Sequence, residues 1–470
     1  MTRSTRSRRH FLKFGAFAAA GGFSAVGAGR LLAQPRASAP PAATAPAFVS
    51  WRNWSGIQQC RARELATPAD EAAVAALLRK SDGVVRCVGS GHSFAPLVPT
   101  DGTILALDRL SGIVSTDKAA GTVTLRAGTR LGALSRRLDS IGLGLRNLPD
   151  IDTQSLAGAI STGTHGTGAD LPALHADVVA LRIVTPQGEI VECDERRNPD
   201  LLAAARVSLG SLGVIAQATV RVVPAYNLHR KVWLKPLEEM LQQAPALARA
   251  HRHFEFYYLP FTGYAAAITH DPYDGYEVVA PPSQDEDMLR DLRRLRDWFE
   301  KFPQLRRWVA NKLIDPNLSE EAKNRSWRLL STSRPTRFNE SECHVPREAG
   351  IACVSEVIRA LEKRNDVFFP LEFRYVKADD AWLSPFYQRD SCSIAVHAAH
   401  DEAYDYLMSD IGPIFRKYDG RPHWGKLHRL TAADLAALYP RWNDFQAVRR
   451  SLDPRGRLLN AHLRTVFGAG

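Results

Sequence analysis

The chain has 470 residues, enough for two or more packed units, and its apolar and charged fractions of 45% and 24% are those of a globular protein. Six basic and no acidic residues in positions 1–34 carry much of the formal net charge of +11, so the remainder, about +5, argues against a nucleic-acid partner. Six scattered cysteines with no CxxC pair exclude a disulfide framework and give no support to a structural zinc site, while one or two disulfides stay open.

Residues 1–34 are expected to be a targeting segment: "SRRHFLK" precedes a Gly/Ala-rich apolar stretch, Phe14 to Gly29, too short to span a membrane. Arg8 and Arg9 followed by Phe11, Leu12 and Lys13 resemble the bacterial twin-arginine signal, which implies export in a folded state to the periplasm. A Pro/Ala-rich linker occupies 35–47.

Residues 48–225 read as one unit. Thr67 is placed to cap a helix from Pro68 that turns Ala73, Val74, Leu77 and Leu78 inward. "GVVRCVG" is a short buried strand. "GIVSTDKAAGTVTLRAG" alternates around a glycine turn and predicts a hairpin, followed by the helix "LGALSRRLDSIG" with Gly142 as its stop. "VVALRIVTPQGEIVEC" is a second hairpin turning at Pro186 and Gly188, and "GVIAQATVRVVP" a closing strand. The mixture is α+β, not a regular βαβ alternation.

Residues 226–426 read as a second unit, richer in aromatic and charged residues. "DEDMLRDLRRLRDWFEKFPQLRRWVANKL" is helical and broken near Pro303. Its arginines suit a membrane surface or an acidic partner, but the interleaved acids favour a solvated face. "FFPLEFRYV" and "SCSIAVHAAH" alternate as strands, and Glu372 and Arg374, two apart, leave one face together.

Three segments are dense in glycine beside strands: "CVGSGHSFAPL" (87–97), "SLAGAISTGTHGTG" (155–168) and "VSLGSLGVI" (207–215). The first lacks the third glycine of a dinucleotide fingerprint and the Lys-Ser/Thr of a P-loop, so alone it is an ordinary turn. Three such segments suit close backbone approach along an extended ligand bearing a pyrophosphate.

Taken with "RPHWGKLH" and the ending "LDPRGRLLNAHLRTVFG", these motifs stand in the order that resembles the sugar-lactone and alditol oxidases among vanillyl-alcohol-oxidase-type flavoproteins with a PCMH-type FAD domain. The similarity is greatest to the D-arabinono-1,4-lactone and L-gulonolactone oxidase branch, with alditol oxidase as a close cousin. It runs from about Trp51 to the C-terminus. The resemblance implies an FAD domain, a substrate cap with an antiparallel sheet and helices, and a segment 427–470 that returns to the FAD domain. It implies FAD held by Val88, Gly89, Ser90, Gly91, His92 and Ser93, by Ser155, Gly158, Gly163, Thr164, His165, Gly166 and Gly168, and by Gly210, Gly213 and Val214. His92 matches the residue bonded to the flavin 8α-methyl carbon, a role a neutral imidazole can perform.

By the same resemblance Glu372, Arg374 and Lys426 line the pocket over flavin N5, with Ser155 beside the ring. The two cations would stabilise a developing alkoxide, and Glu372 would orient Arg374. The general base stays open, as does a structural ion pair for Glu372 and Arg374. His397 and His400 are expected in supporting or surface positions, and no metal is expected because no His/carboxylate set has ligand spacing. The expected substrate is a sugar lactone or a polyol, with O2 or a periplasmic carrier as electron acceptor. The rival from another class is a sugar-binding module on a degenerate flavoprotein fold.

Overall fold

The computed structural model describes residues 48–281, 285–332 and 335–469, so the targeting segment and linker lie outside the described residues. An N-terminal hairpin pairs β1 (Val49–Arg52) with β2 (Gln59–Ala62). A small parallel sheet follows, from β3 (Glu64–Ala66), β4 (Val85–Val88) and β5 (Thr103–Ala106), with β5 in the middle. Helix α1 (Glu71–Lys80) buries Val74, Ala75 and Leu78. Thr67 does not cap it. Asp70 has the extended backbone of a cap and its carboxylate accepts from the Ala73 amide at 2.8 Å, which also puts Glu71 in the first turn against the helix dipole.

A second sheet carries both predicted hairpins. The strands β6 (Ile113–Asp117), β7 (Thr122–Arg126), β8 (Val178–Val184), β9 (Ile190–Asp194) and β10 (Val214–Arg221) stand in the order β9-β8-β10-β7-β6, all antiparallel. Helix α2 (Leu131–Ser140) stops at Gly142, whose φ of +78° is the left-handed turn that glycine takes without cost. A short helix, α3 (Leu156–Ser161), opens on Ser155, whose hydroxyl accepts from the Gly158 amide at 3.3 Å.

From residue 227 one antiparallel sheet of eight strands dominates: β11 (Asn227–Pro236), β12 (His253–Leu259), β13 (Tyr264–Pro272), β14 (Ser319–Arg325), β15 (Phe338–Pro346), β16 (Leu371–Val376), β17 (Ser391–Ala399) and β18 (Arg421–Pro422). Their order is β14-β11-β13-β12-β16-β17-β15-β18. One face is apolar: Phe256, Phe373, Ile394 and Cys343 pack with Met240 of α4 (Leu237–Ala250) and with Val354 and Val357 of a helix over Gly350–Leu361. The other face is polar and forms the site described below.

The basic stretch forms two helices, α5 (Asp285–Phe299) and α6 (Pro303–Leu313), broken where Pro303 restarts the chain. Its arginines are engaged within the fold. Arg290 pairs with Asp287, Arg294 with Asp291, and Arg293 and Arg296 both reach Glu402. Among the described residues no helix is long and apolar enough to cross a membrane.

The last helices, α7 (Ala432–Leu438), α8 (Trp442–Leu452) and α9 (Ala461–Phe467), share a hydrophobic core with α1, α2 and the five-stranded sheet. The C-terminal segment is tied there by polar bonds as well. Asn460 donates to the carbonyls of Pro96 and Pro99, at 2.9 Å each, and Arg457 to that of Pro186 at 2.9 Å. All six cysteines are free.

Candidate active site

The loop after β4 owes its shape to two glycines. Gly91 has φ +70°, and a Cβ on Gly89 would stand 2.3 Å from Ser155 Oγ, so a side chain there would displace the start of α3. The backbone is held on both sides: Trp54 N donates to the Gly91 carbonyl at 2.8 Å, and Phe94 N to that of Gly425 at 2.7 Å. An elongated cavity runs along Val88 to Ser93, Ser155, Gly158, Gly210 and Gly213. Trp51, Arg86, Gln154, Thr162, His423 and Lys426 are among its other walls.

His92 projects from this loop and stacks on Trp54, ring centroids 4.8 Å apart. Its Nε2 lies 3.0 Å from Thr153 Oγ1, while its buried Nδ1 has no hydrogen-bond partner. Burial, assisted by the charges of Lys426 and Arg130, lowers its pKa to about 4, so the ring is neutral at physiological pH. A buried ring nitrogen without a protein partner, beside a trough that Gly89, Gly91, Gly158, Gly210 and Gly213 help to line, fits a bound flavin nucleotide.

Strand register builds the second half of the site. Glu342 on β15, Ala395 on β17, Glu372 on β16 and Tyr257 on β12 form one row across the sheet. The next row on the same face is His344, Ser393, Arg374 and Glu255. Glu342, Glu372, Tyr257, Arg374 and Glu255 of these rows line a cavity of ≈ 610 Å3 that also receives Asp150, Glu340, Thr164, His165 and His397. Ile151, Gln154, His423 and Lys426 line both cavities, so the two meet there.

Arg374 is ringed by carboxylates: Glu342 at 2.7 Å, Asp150 at 3.3 Å and Glu372 at 3.4 Å. Lys426 pairs with Glu340, stands 3.8 Å from Glu342, and lies over the Phe94 ring. Burial pushes the Glu372 carboxyl well above the usual range, and Asp150 and Glu255 add to this against the opposing charge of Arg374. This favours the protonated form of Glu372, in which it could donate as well as accept, and Tyr257 donates to it at 2.7 Å.

The structure thus brings Glu372, Arg374 and Lys426 together and aligns Val88 to Ser93, Ser155, Gly158, Gly210 and Gly213 along one trough. It places several expected cofactor residues elsewhere. Gly163 packs on Pro385, Gly166 on the Leu148 carbonyl and Gly168 on that of Arg252, so these glycines allow close chain packing. Val214 is core, fully buried at the start of β10. Thr164 and His165 face the larger cavity, and His165 is bound to Glu342 on the cap. His397 is half-buried with Nδ1 3.0 Å from the Pro370 carbonyl, whereas His400 is exposed beside Asp401.

Asp150, Glu255, Glu340, Glu342 and His423 were not anticipated. Glu340 and Glu342 carried a signal, two acids spaced by two in the strand "FNESECHVP". The fold also gathers two sets with ligand atoms within 4.8 Å, His165/Glu342/His344 and Asp150/Glu255/Glu372. Arg374 contacts both sets, and its charge opposes a cation at either.

Comparison with known proteins agrees with this geometry. Residues 62–194 match the FAD binding domain family, and residues 218–466 match the D-arabinono-1,4-lactone oxidase family. The chain is 36% identical to an L-gulono-1,4-lactone dehydrogenase of Mycobacterium tuberculosis, covering 89% of this chain and 99% of that protein. It is 31% identical to the L-gulonolactone oxidase of Bos taurus over 89% and 98%, and 29% identical to an alditol oxidase of Streptomyces over 88% and 98%. In fold it is similar to cholesterol oxidase from Brevibacterium sterolicum, with a TM-score of 0.72 at 17% identity over 91% of this chain and all of that one. With the glycine trough, the unpartnered His92 nitrogen and the charged sheet face, these matches identify the chain as a two-domain α+β FAD flavoprotein that belongs to the D-arabinono-1,4-lactone oxidase family, oxidoreductases acting on CH–OH groups.

Proposed function

We propose that this protein oxidises an aldono-1,4-lactone of the D-arabinono-1,4-lactone type, with O2 or a periplasmic carrier taking the electrons. The carrying observation is the cluster of Arg374, Lys426 and Glu372 in the ≈ 610 Å3 cavity, which Lys426 shares with the glycine-lined trough. When bound there, FAD supplies the hydride acceptor. The chain's residues orient the substrate: Glu372 and Tyr257 present a donor and acceptor pair to its hydroxyls, and Asp150 and Glu255 add acceptors. Arg374 and Lys426 set positive charge where an alkoxide oxygen develops as its proton leaves, and the cavity walls keep that interaction strong. An alditol is the alternative substrate, supported by the likeness to an alditol oxidase.

The test is anaerobic mixing of the purified flavoprotein with aldono-1,4-lactones and with alditols. Lactones are expected to bleach the flavin absorbance and air to restore it if O2 is the acceptor. Bleaching by alditols alone would assign the alternative, and an intact spectrum with every member of the panel would reject the reading.

A covalent bond between His92 and the flavin 8α-methyl carbon belongs to the same proposal. It is supported by the neutral ring and its unpartnered Nδ1. Acid precipitation should leave the yellow colour in the pellet for the unmodified protein and release it for His92→Ala; release from both would exclude the bond. Export through the twin-arginine pathway, with the cofactor already attached, is the matching proposal for Arg8, Arg9 and the apolar stretch behind them.

A further inference from the structure

Hydrogen-bond accounting around His165 requires a proton that a neutral ring cannot supply. His165 is 3% exposed, and its Nδ1 lies 2.8 Å from the carbonyl oxygen of Gly166, which only accepts. Nδ1 therefore carries a hydrogen. Nε2 lies 3.1 Å from Glu342 Oε1, and a neutral ring would turn its lone pair towards that oxygen. One further proton must sit between them, on the ring or on the carboxyl.

The surroundings decide which. Oε1 of Glu342 also accepts from Arg374 Nη2 at 2.7 Å and from Ser393 Oγ at 2.6 Å. Two donors already converging on one oxygen, one of them a guanidinium, are satisfied by a carboxylate, whose charge strengthens each bond and leaves the proton to the ring. The other oxygen faces Lys426 at 3.8 Å. Burial alone would favour the protonated carboxyl, but Arg374, His165 and Lys426 outweigh it and hold Glu342 well below its ordinary range.

The remaining titratable neighbours do not change the balance. His344 on β15 meets the His165 ring edge-on at 5.0 Å between centroids, and His423, after β18, lies at 5.9 Å. Burial keeps both neutral. Glu340 is taken up by Lys426.

We propose that His165 and Glu342 form a buried imidazolium–carboxylate pair that joins the flavin domain to the cap and positions Arg374 over the substrate cavity. Glu342 fixes Nη2 of Arg374 from the cap while Asp150 fixes Nη1 from the flavin domain, so the guanidinium is clamped between the two units. The role given to Arg374 rests on the function proposed above, whereas the placement of the proton does not.

The experiment uses the holoenzyme with ring-15N histidine, the His165 resonances being assigned by their loss in His165→Gln. Between pH 6 and 8 both ring nitrogens of His165 are expected to show the imidazolium signature. A neutral ring in that interval would put the proton on Glu342 and overturn the pair.

Glu342→Gln should return His165 to the neutral state and slow anaerobic flavin reduction about a hundredfold, with Glu342→Asp recovering part of both. Unchanged reduction with Glu342→Gln in a fully flavinylated protein would overturn the positioning role. If no lactone or alditol reduces the unmodified enzyme, the proposed function fails, and the nitrogen spectrum still decides the pair.

Discussion

Replacing Arg374 with methionine is expected to slow anaerobic reduction of the flavin by substrate about 10²- to 10³-fold and to lower the stability of the folded enzyme by roughly 3–5 kcal/mol. Both effects follow from one arrangement. Arg374 is 5% exposed and stands among Asp150, Glu342 and Glu372, so removing its charge leaves three carboxyl groups facing each other without the cation they share. The rate effect follows from losing a fixed cation beside the reacting hydroxyl. Stopped-flow reduction and chemical denaturation measure the two losses separately. Loss of stability with an unchanged reduction rate would make Arg374 a structural ion-pair residue and remove it from the chemistry. Lys426 gives an internal comparison: it is less enclosed and its Nζ pairs mainly with Glu340, so Lys426→Met should share the rate loss with a smaller stability cost.

Arg86→Leu is expected to destabilise the enzyme by about 3 kcal/mol and to loosen its hold on FAD. Arg86 is 3% exposed, and burial lowers its pKa to about 10, which leaves it charged at neutral pH. Its guanidinium donates to the carbonyls of Leu97 and Leu209 at 2.7 Å, Gly210 at 3.1 Å, and Leu458. One side chain therefore ties together the first glycine loop, the third glycine segment and the returning C-terminal segment. Leucine would fill much of the space but would leave those carbonyls buried without a donor. The denaturation midpoint should fall, and limited proteolysis should open the chain near residues 453–460 first. An unchanged midpoint with intact flavin retention would mean that water or neighbouring amides satisfy the carbonyls.

Much of the first domain was legible because its signals are local. The alternation of 113–126 and 178–194 and their turn glycines specify two hairpins whatever surrounds them, and Gly142 stops α2 by its own backbone freedom. The cap of α1 was misplaced by three residues because Thr67 and Asp70 are both competent caps, and the choice between them depends on how the chain leaves β3. In the second glycine segment, glycines that suit a pyrophosphate equally suit close chain packing, and the tertiary contacts of Gly163, Gly166 and Gly168 show the packing use.

By itself the sequence determined the glycine turn from Val88 to Ser93 that carries His92, whose use for a cofactor is what the family resemblance implies, and the shared face of Glu372 and Arg374. Each lies within a few consecutive residues, where backbone geometry translates spacing directly into direction. Only the tertiary structure decided the charge state of the site. Asp150, Glu255, Glu340, Glu342 and His165 come from separate segments, and strand register across β15, β17, β16 and β12 sets them around Arg374. Whether burial raises a carboxyl there, as at Glu372, or neighbouring cations lower it, as at Glu342, depends on which charges that register delivers within a few ångströms.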